Sequence, residues 1–402
     1  MFLSGPLLIQ TYFVMSGFLL AYKMQIYFKT QNVNFFFLPR LIFFRWLRLT
    51  PPYALLLGFM ATWLRFFKTG PFWEITAGLE VADCRRRWWL NILYINNYLY
   101  HSQCMPHCWY IAADMQLYIL GAVVCLILRY TKRKTWILMP LFLLGILIPA
   151  VHTYLQDLDP MLLLKPKGCA TFFDTDPTYN EVYTRGHTNI VSFVIGLCTG
   201  YILMNLWKTR IASIKKYKKY FFLLWFIIPV GAVFMYIGGS VFYRDAPRDP
   251  IYIRTLFAMI SRPFMGFLAA FFILGMVLKI ESLKIVNDED ILKGSNKIAA
   301  WRRQVKDLLR VVMNWNGWTV PGRLSYCVYL IHFPIIRITT AMFRSLIPSS
   351  PLYIIGALAV LTVLTFILAV PLSLLVEIPF LRLIKETSTK TPKDLNEITT
   401  RL

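Results

Sequence analysis

Arg45 and Arg48 are the residues whose types and spacing point most directly to chemistry. They stand in Arg45-Trp46-Leu47-Arg48-Leu49-Thr50-Pro51-Pro52-Tyr53, between two apolar stretches. Residues three apart share one face of a helix, so the two guanidiniums point the same way. Guanidinium forks match phosphate oxygens in pairs, which makes this face a trap for a phosphate-sized anion. Thr50 has the chemistry of a helix N-cap, and Pro51 suits the first helical position after it. A helix starting there adds unpaired N–H groups and the positive end of its dipole to the same surface. The competing reading is an anchor, since arginines at the cytosolic edge of a span set its orientation without binding anything.

Ionisable and polar groups inside apolar spans are costly, so each is a candidate for function. Asp114 lies in Trp109-Tyr110-Ile111-Ala112-Ala113-Asp114-Met115-Gln116, with Gln116 two residues on. Asn96 and Asn97 sit in a short apolar piece just before it. For all four the alternative is a hydrogen-bonding hub that holds helices together. His332 lies in Ser325-Tyr326-Cys327-Val328-Tyr329-Leu330-Ile331-His332. Eight residues beyond Leu324 is about 12 Å along a helix. A neutral imidazole at that depth can act as a base, or can be a satisfied structural group. Glu377, before Ile378-Pro379, ends the last span and could pair with an arginine. His101, His107, His152 and His187 fall in or near polar loops and suggest no role. No metal-ligand spacing, Walker or dinucleotide glycine pattern or Gly-x-Ser-x-Gly elbow is present, so neither a metal nor a cofactor is expected.

The elements that must hold these groups are spans of a membrane. The 402 residues are 57% hydrophobic and only 16% charged. Apolar runs of about 20 residues recur along the chain, which predicts an all-α, polytopic helical membrane protein. The net charge of +23 lies in short basic clusters between those runs. It therefore argues for cytosolic loops and anionic lipid as partners, and against nucleic acid. About nine spans are expected, at residues 6–22, 51–67, 109–128, 136–154, 190–206, 220–239, 253–278, 324–347 and 352–376. The apolar piece at 88–99 is too short to cross and reads as re-entrant or interfacial. A polar region at 279–323 holds an amphipathic stretch around 301–314. The division is one transmembrane domain over 1–385 and a polar cytosolic tail over 386–402.

Alternation of the spans tests itself against charge. With 23–48 in the cytosol, the basic runs at 129–134, 208–219, 279–323 and the tail share that side. Only Arg85-Arg86-Arg87 falls opposite, and Glu74, Glu80 and Asp83 lie nearby. The N-terminus is then lumenal or outside and the C-terminus cytosolic, in the endoplasmic reticulum or the plasma membrane. Cys84, Cys104, Cys108 and Cys169 fall in the outer loops and allow three pairings. A Cys84–Cys104 bridge would staple the short apolar piece at both ends and is the favoured one. Cys125, Cys198 and Cys327 lie inside spans and read as small apolar residues. Met1 leads directly into an apolar segment with no signal-peptide features, so the chain reads as opening partway into a larger architecture.

Several of these stretches together resemble one family. Tyr12-Phe13-Val14-Met15-Ser16-Gly17-Phe18-Leu19 is similar to its Phe-Phe-x-x-Ser-Gly-Phe-Leu span, and Arg45-Trp46-Leu47-Arg48 to its Arg-x-x-Arg motif. Trp88-Trp89 with Leu93 to Asn97, then Cys104-Met105, Trp109-Tyr110 and Asp114-Met115-Gln116, resembles an animal branch, as does Leu324-Ser325-Tyr326-Cys327 with Tyr329-Leu330 and His332. The family is the acyltransferase 3 membrane proteins, and the branch is the "nose resistant to fluoxetine" type of insects and nematodes. The resemblance implies transfer of an acyl group from acyl-CoA, a co-substrate, to a hydroxyl of a lipid or other small acceptor. In that light Arg45 and Arg48 bind the acyl-CoA phosphates, and His332 and Asp114 are the catalytic candidates. Two departures accompany it. The family's catalytic histidine belongs to a span upstream of Ser-Gly-Phe-Leu and has no counterpart in this sequence, and Gln10 stands where the family carries Asp. A general base contributes about 10²–10⁴-fold, so an impaired enzyme is expected.

Two readings without catalysis compete. One is a lipid or small-molecule transporter, which would be favoured by internal repeats. The spans show none. The other is a structural subunit that needs a partner.

Overall fold

In an apolar setting each backbone N–H and C=O must be satisfied within its own segment, and the α-helix does this locally. The computed structural model of the protein describes residues 5–30, 33–67, 70–100, 102–165, 168, 173–208, 230–235, 237–243, 249–286, 315–342 and 350–388. Among these residues the regular structure is helical, with no strand. The long helices are α1 (Gly5–Thr30), α2 (Leu38–Thr62), α3 (Leu79–Ile92), α4 (Trp109–Tyr130), α5 (Thr135–Leu155), α6 (Ile190–Lys208), α7 (Ile251–Val286), α8 (Thr319–Met342), α9 (Pro351–Leu372) and α10 (Ile378–Ser388).

Six helical stretches among the described residues are long and apolar enough to cross a membrane: Pro106–Tyr130, Thr135–Leu155, His187–Asn205, Ile251–Val277, Asn316–Met342 and Pro351–Ile384. They coincide with six of the expected spans, and the protein is a polytopic helical membrane protein. The expected span at 6–22 lies within α1, and that at 51–67 covers the end of α2 and the 3-10 turn Leu64–Phe67. Part of the span at 220–239 and all of the stretch at 301–314 lie outside the described residues.

Two local expectations are corrected. Residues 38–62 form one continuous helix with Pro51 and Pro52 inside it, so no helix begins at Thr50. Each proline removes one N–H from the ladder, opposite the carbonyls of Leu47 and Arg48. This turn of α2 therefore lies inside a helix and does not supply the free N–H groups of a helix N-terminus. The piece at 88–99 is not one segment either. Its first part ends α3, and the chain then turns at Tyr94, with φ +57°, into the 3-10 turn Asn96–Tyr98.

The described residues group into two compact units, interleaved in sequence. The first holds α1, α4, α5, α6 and α7 with the turn Asn96–Tyr98. Its centre is α1 against α6 and α7, where Val14, Phe18, Val191, Ile195, Leu203, Ala269, Ala270 and Ile273 form a buried cluster. Small residues let the backbones of α1 and α6 approach, as membrane helices require. A Cβ on Gly17 would sit 2.3 Å from the Phe193 carbonyl oxygen, and one on Gly196 would sit 2.1 Å from that of Val14. The Ser-Gly-Phe-Leu pattern of α1 thus has a packing cause.

The second unit holds α2, α3, α8, α9 and α10 with the segment Gln103–His107. Ser350 caps α9 by accepting the Tyr353 N–H, and Pro351 occupies its first turn. Cys327, Ile331 and Ile335 of α8 pack on Ala369 of α9, with Leu56 of α2 against them.

Gly196→Ala forces backbone to move and is expected to cost about 1–3 kcal/mol. Gly58→Ala, whose added methyl meets nothing within 4 Å, is expected to leave the melting temperature unchanged or raise it. Thermal unfolding of both variants in nanodiscs checks the contrast.

Candidate active site

Helix α8 carries most of the polar contacts of the second unit. Near its start the Tyr326 hydroxyl donates to the Leu49 carbonyl of α2 at 2.6 Å. One residue on, the Cys327 thiol donates to Glu377 at 3.0 Å. Near its end Arg337 donates to Glu80 of α3 at 2.8 Å. His332 stands between these ties, 13 residues from Thr319 and so about 20 Å along the helix. That is deeper than the count from Leu324 suggested, because the helix starts five residues earlier.

The His332 ring is fixed by its own helix. Its Nδ1 lies 2.6 Å from the Tyr329 carbonyl oxygen. A carbonyl only accepts, so Nδ1 carries the hydrogen and the lone pair of the neutral ring is on Nε2. A second imidazole lies beside it. His107, from the segment Gln103–His107, has its ring centroid 5.4 Å from that of His332 and stacks on Phe333 at 4.8 Å. Spacing could not show this, because His107 and His332 are 225 residues apart. The sole signal was the neighbouring Cys104.

That segment is held by charge, hydrogen bonds and a disulfide. Cys84 and Cys104 are bonded, which ties it to α3. Asp83 accepts the N–H groups of Gln103 and Cys104 at 2.8 and 3.0 Å, and Glu80 accepts that of Met105 at 3.1 Å. Arg337 gives a second fork arm to the Gln103 side chain at 2.9 Å. The side chains of Arg337 and Glu80 are 1% and 0% exposed. Burial pushes the Glu80 carboxyl above the usual glutamate range, and Arg337 and the Met105 N–H act against that push.

Arg45 and Arg48 lie mid-helix in α2, half-buried and exposed respectively. They belong to the same unit as His332, and the Tyr326 tie falls one residue past Arg48. Nearby, Tyr53 is fully buried and donates to Asn91 at 2.7 Å, which fastens α2 to α3. Glu377 ends a π-helical turn, Ser373–Glu377. Among the described residues its partners are Cys327 and Ser373, at 3.0 and 3.1 Å, and not the expected arginine. Cys327 is accordingly a hydrogen-bond donor rather than mere apolar filling.

The other candidates belong to the first unit. Asp114 is buried in α4. Asn97 and Gln116 exchange amide hydrogen bonds, at 2.7 and 3.3 Å, and Gln116 also donates to the Tyr94 carbonyl. Both amides are spent on structure. Asn96 is buried, and its Oδ1 has no hydrogen-bond partner among the described residues. Gln10 bridges α1 and α6, donating to Asn189 at 2.9 Å and accepting from Ser192 at 2.7 Å.

Comparison with known proteins follows from this geometry. The family model described as an acyltransferase domain, that of acyltransferase 3, matches residues 2–376. The chain belongs to the acyltransferase 3 family. It is 29% identical over 223 residues to nose resistant to fluoxetine protein 6 of Caenorhabditis elegans, a match over 52% of this chain and 26% of that protein. No solved structure matches it. Every candidate residue named above lies inside the region matched to the acyltransferase 3 family, except Glu377, which follows its last position.

The buried ion pair is testable by itself. Arg337→Met leaves Glu80 as an unpaired buried charge and is expected to cost about 3–5 kcal/mol, while Glu80→Leu with Arg337→Met recovers most of it. Melting temperatures of the single and double variants check this, and equal losses in both would contradict it.

Proposed function

We propose that the protein is a membrane O-acyltransferase that moves an acyl group from acyl-CoA to a hydroxyl of a lipid or other small acceptor. The observation that carries the reading is His332, with its Nδ1 hydrogen committed to the Tyr329 carbonyl and its helix tied to α2 beside Arg48. In the proposed step Nε2 takes the proton of the acceptor hydroxyl as its oxygen attacks the thioester carbonyl. The C–S bond breaks, the CoA sulfur leaves, and it is protonated by the imidazolium. Arg45 and Arg48 hold phosphates of the CoA as bidentate cations, without help from a helix N-terminus. Their cytosolic placement rests on the positive-inside distribution of charge.

Asp114 belongs to the other unit and takes no step here. We further infer that turnover is weak. Gln10 stands where the resemblance expects an aspartate, and Asn189 and Ser192 occupy both ends of its amide.

Transfer of a radiolabelled acyl group from acyl-CoA to extracted lipid, in membranes holding the protein, is the test. His332→Ala is expected to lower kcat by about 10²-fold or more. Arg48→Ala is expected to raise KM for acyl-CoA, more steeply at low salt, with little change in kcat. Equal rates in wild type and both variants would remove the reading.

A further inference from the structure

His107 reaches His332 through a defect that the sequence builds into α8. Pro334 lies inside this helix and has no N–H. Its ladder partner would have been the carbonyl of Leu330, four residues earlier, which is left without a donor. The Nε2 of His107 lies 3.2 Å from that oxygen. The carbonyl only accepts, so Nε2 of His107 carries the hydrogen. The next carbonyl back, that of Tyr329, accepts Nδ1 of His332. Consecutive carbonyls of one proline-opened turn therefore fix the tautomers of two imidazoles.

The His107 backbone is fixed as well. The Tyr329 hydroxyl donates to its carbonyl at 2.5 Å. Two residues before it, Met105 holds φ at +47° although it is not glycine. Side chains rarely adopt that region, and such strain persists only where the surroundings over-determine it. Here the disulfide, Asp83 and Glu80 supply the restraint. Strain is thus spent on delivering one imidazole against another.

We propose that His107 and His332 work as one imidazole pair, in which His107 is the positioning residue that packs edge-on against the His332 ring and shares its surroundings. The proposal rests on the general-base reading of His332 for its role in catalysis, though not for the existence of the pair. Two imidazoles at this distance in a poorly solvated site repel each other when both are charged, so their titrations are coupled. Around the pair stand Tyr329 on the same helix, Arg337 one turn on with its guanidinium 5.6 Å over the Phe333 ring, and Glu80 of α3, which pairs with Arg337. Both His332 and Arg337 act electrostatically on His107.

The chain has 5 histidines, so ring nitrogens can be assigned by variant in ¹⁵N-histidine-labelled protein in nanodiscs. The experiment titrates them in wild type, His107→Gln and Pro334→Ala. Glutamine keeps a side-chain N–H for the Leu330 carbonyl but removes the second titrating ring. Alanine restores the backbone N–H, which competes for that carbonyl and releases His107. The expected result is coupled titration of both rings in wild type. In His107→Gln, His332 should titrate alone, in a single uncoupled step. In Pro334→Ala, the ¹⁵N shifts of His107 should lose their fixed-tautomer pattern. The pH–rate profile of acyl transfer should change with the His332 titration curve in His107→Gln. A titration curve that changes while the rate profile does not would keep the pair and remove the general-base reading. An unchanged His332 titration curve in His107→Gln, with unchanged His107 shifts in Pro334→Ala, would overturn the pair.

Discussion

The second unit depends on the Arg337–Glu80 ion pair. Both side chains are almost wholly out of contact with solvent, and an isolated charge in such a place costs several kcal/mol. The pair is supported because further hydrogen bonds reach both of its members. Glu80 also takes the Met105 N–H, and Arg337 also gives to Gln103. Those partners all belong to one short segment, so satisfying the ion pair fixes the path of that segment. Asp83 and the Cys84–Cys104 bridge act on the same residues from the same helix. The position of His107 is the consequence, at the end of a chain of electrostatic requirements rather than of apolar packing.

Proline does related work twice. In α8, Pro334 leaves the Leu330 carbonyl open and an imidazole takes it. In α2, Pro51 and Pro52 each remove a ladder N–H, and the Leu49 carbonyl in the same turn accepts Tyr326. Membrane helices tolerate such breaks when other groups re-satisfy the backbone. In α8 that group is the His107 imidazole, a side chain that chemistry could use, so this defect lies where polar residues gather. Glu377 follows the same rule, since it sits at a π-helical turn and is met by a thiol and a hydroxyl.

The first unit is organised differently. Its centre is close apolar packing of α1, α6 and α7, made possible by glycine at the contact. Its polar groups form closed structural sets, such as Asn97 with Gln116 and Gln10 with Asn189 and Ser192. These amides hold turns and helices to one another. The match to the acyltransferase 3 family spans residues of both units, and in the first unit part of the pattern it covers is a record of packing.

What was legible in the chain follows from periods and composition. Apolar runs long enough to cross a bilayer determine helices by themselves, because no other local structure satisfies the backbone there. The polytopic helical class and six of the spans were therefore readable from residues alone. A favoured Cys84–Cys104 pairing was readable too, since it brackets one short stretch, and the structure holds that bond. A helix start at Thr50 was misread, because a proline suits a first turn and a helix interior equally until tertiary contacts choose. Only the fold decided that Glu377 meets Cys327 rather than an arginine, and that His107 meets His332. The reason is physical: helix formation depends on neighbours along the chain, whereas the partner of a buried polar group is whatever the packing of distant segments brings within hydrogen-bond reach.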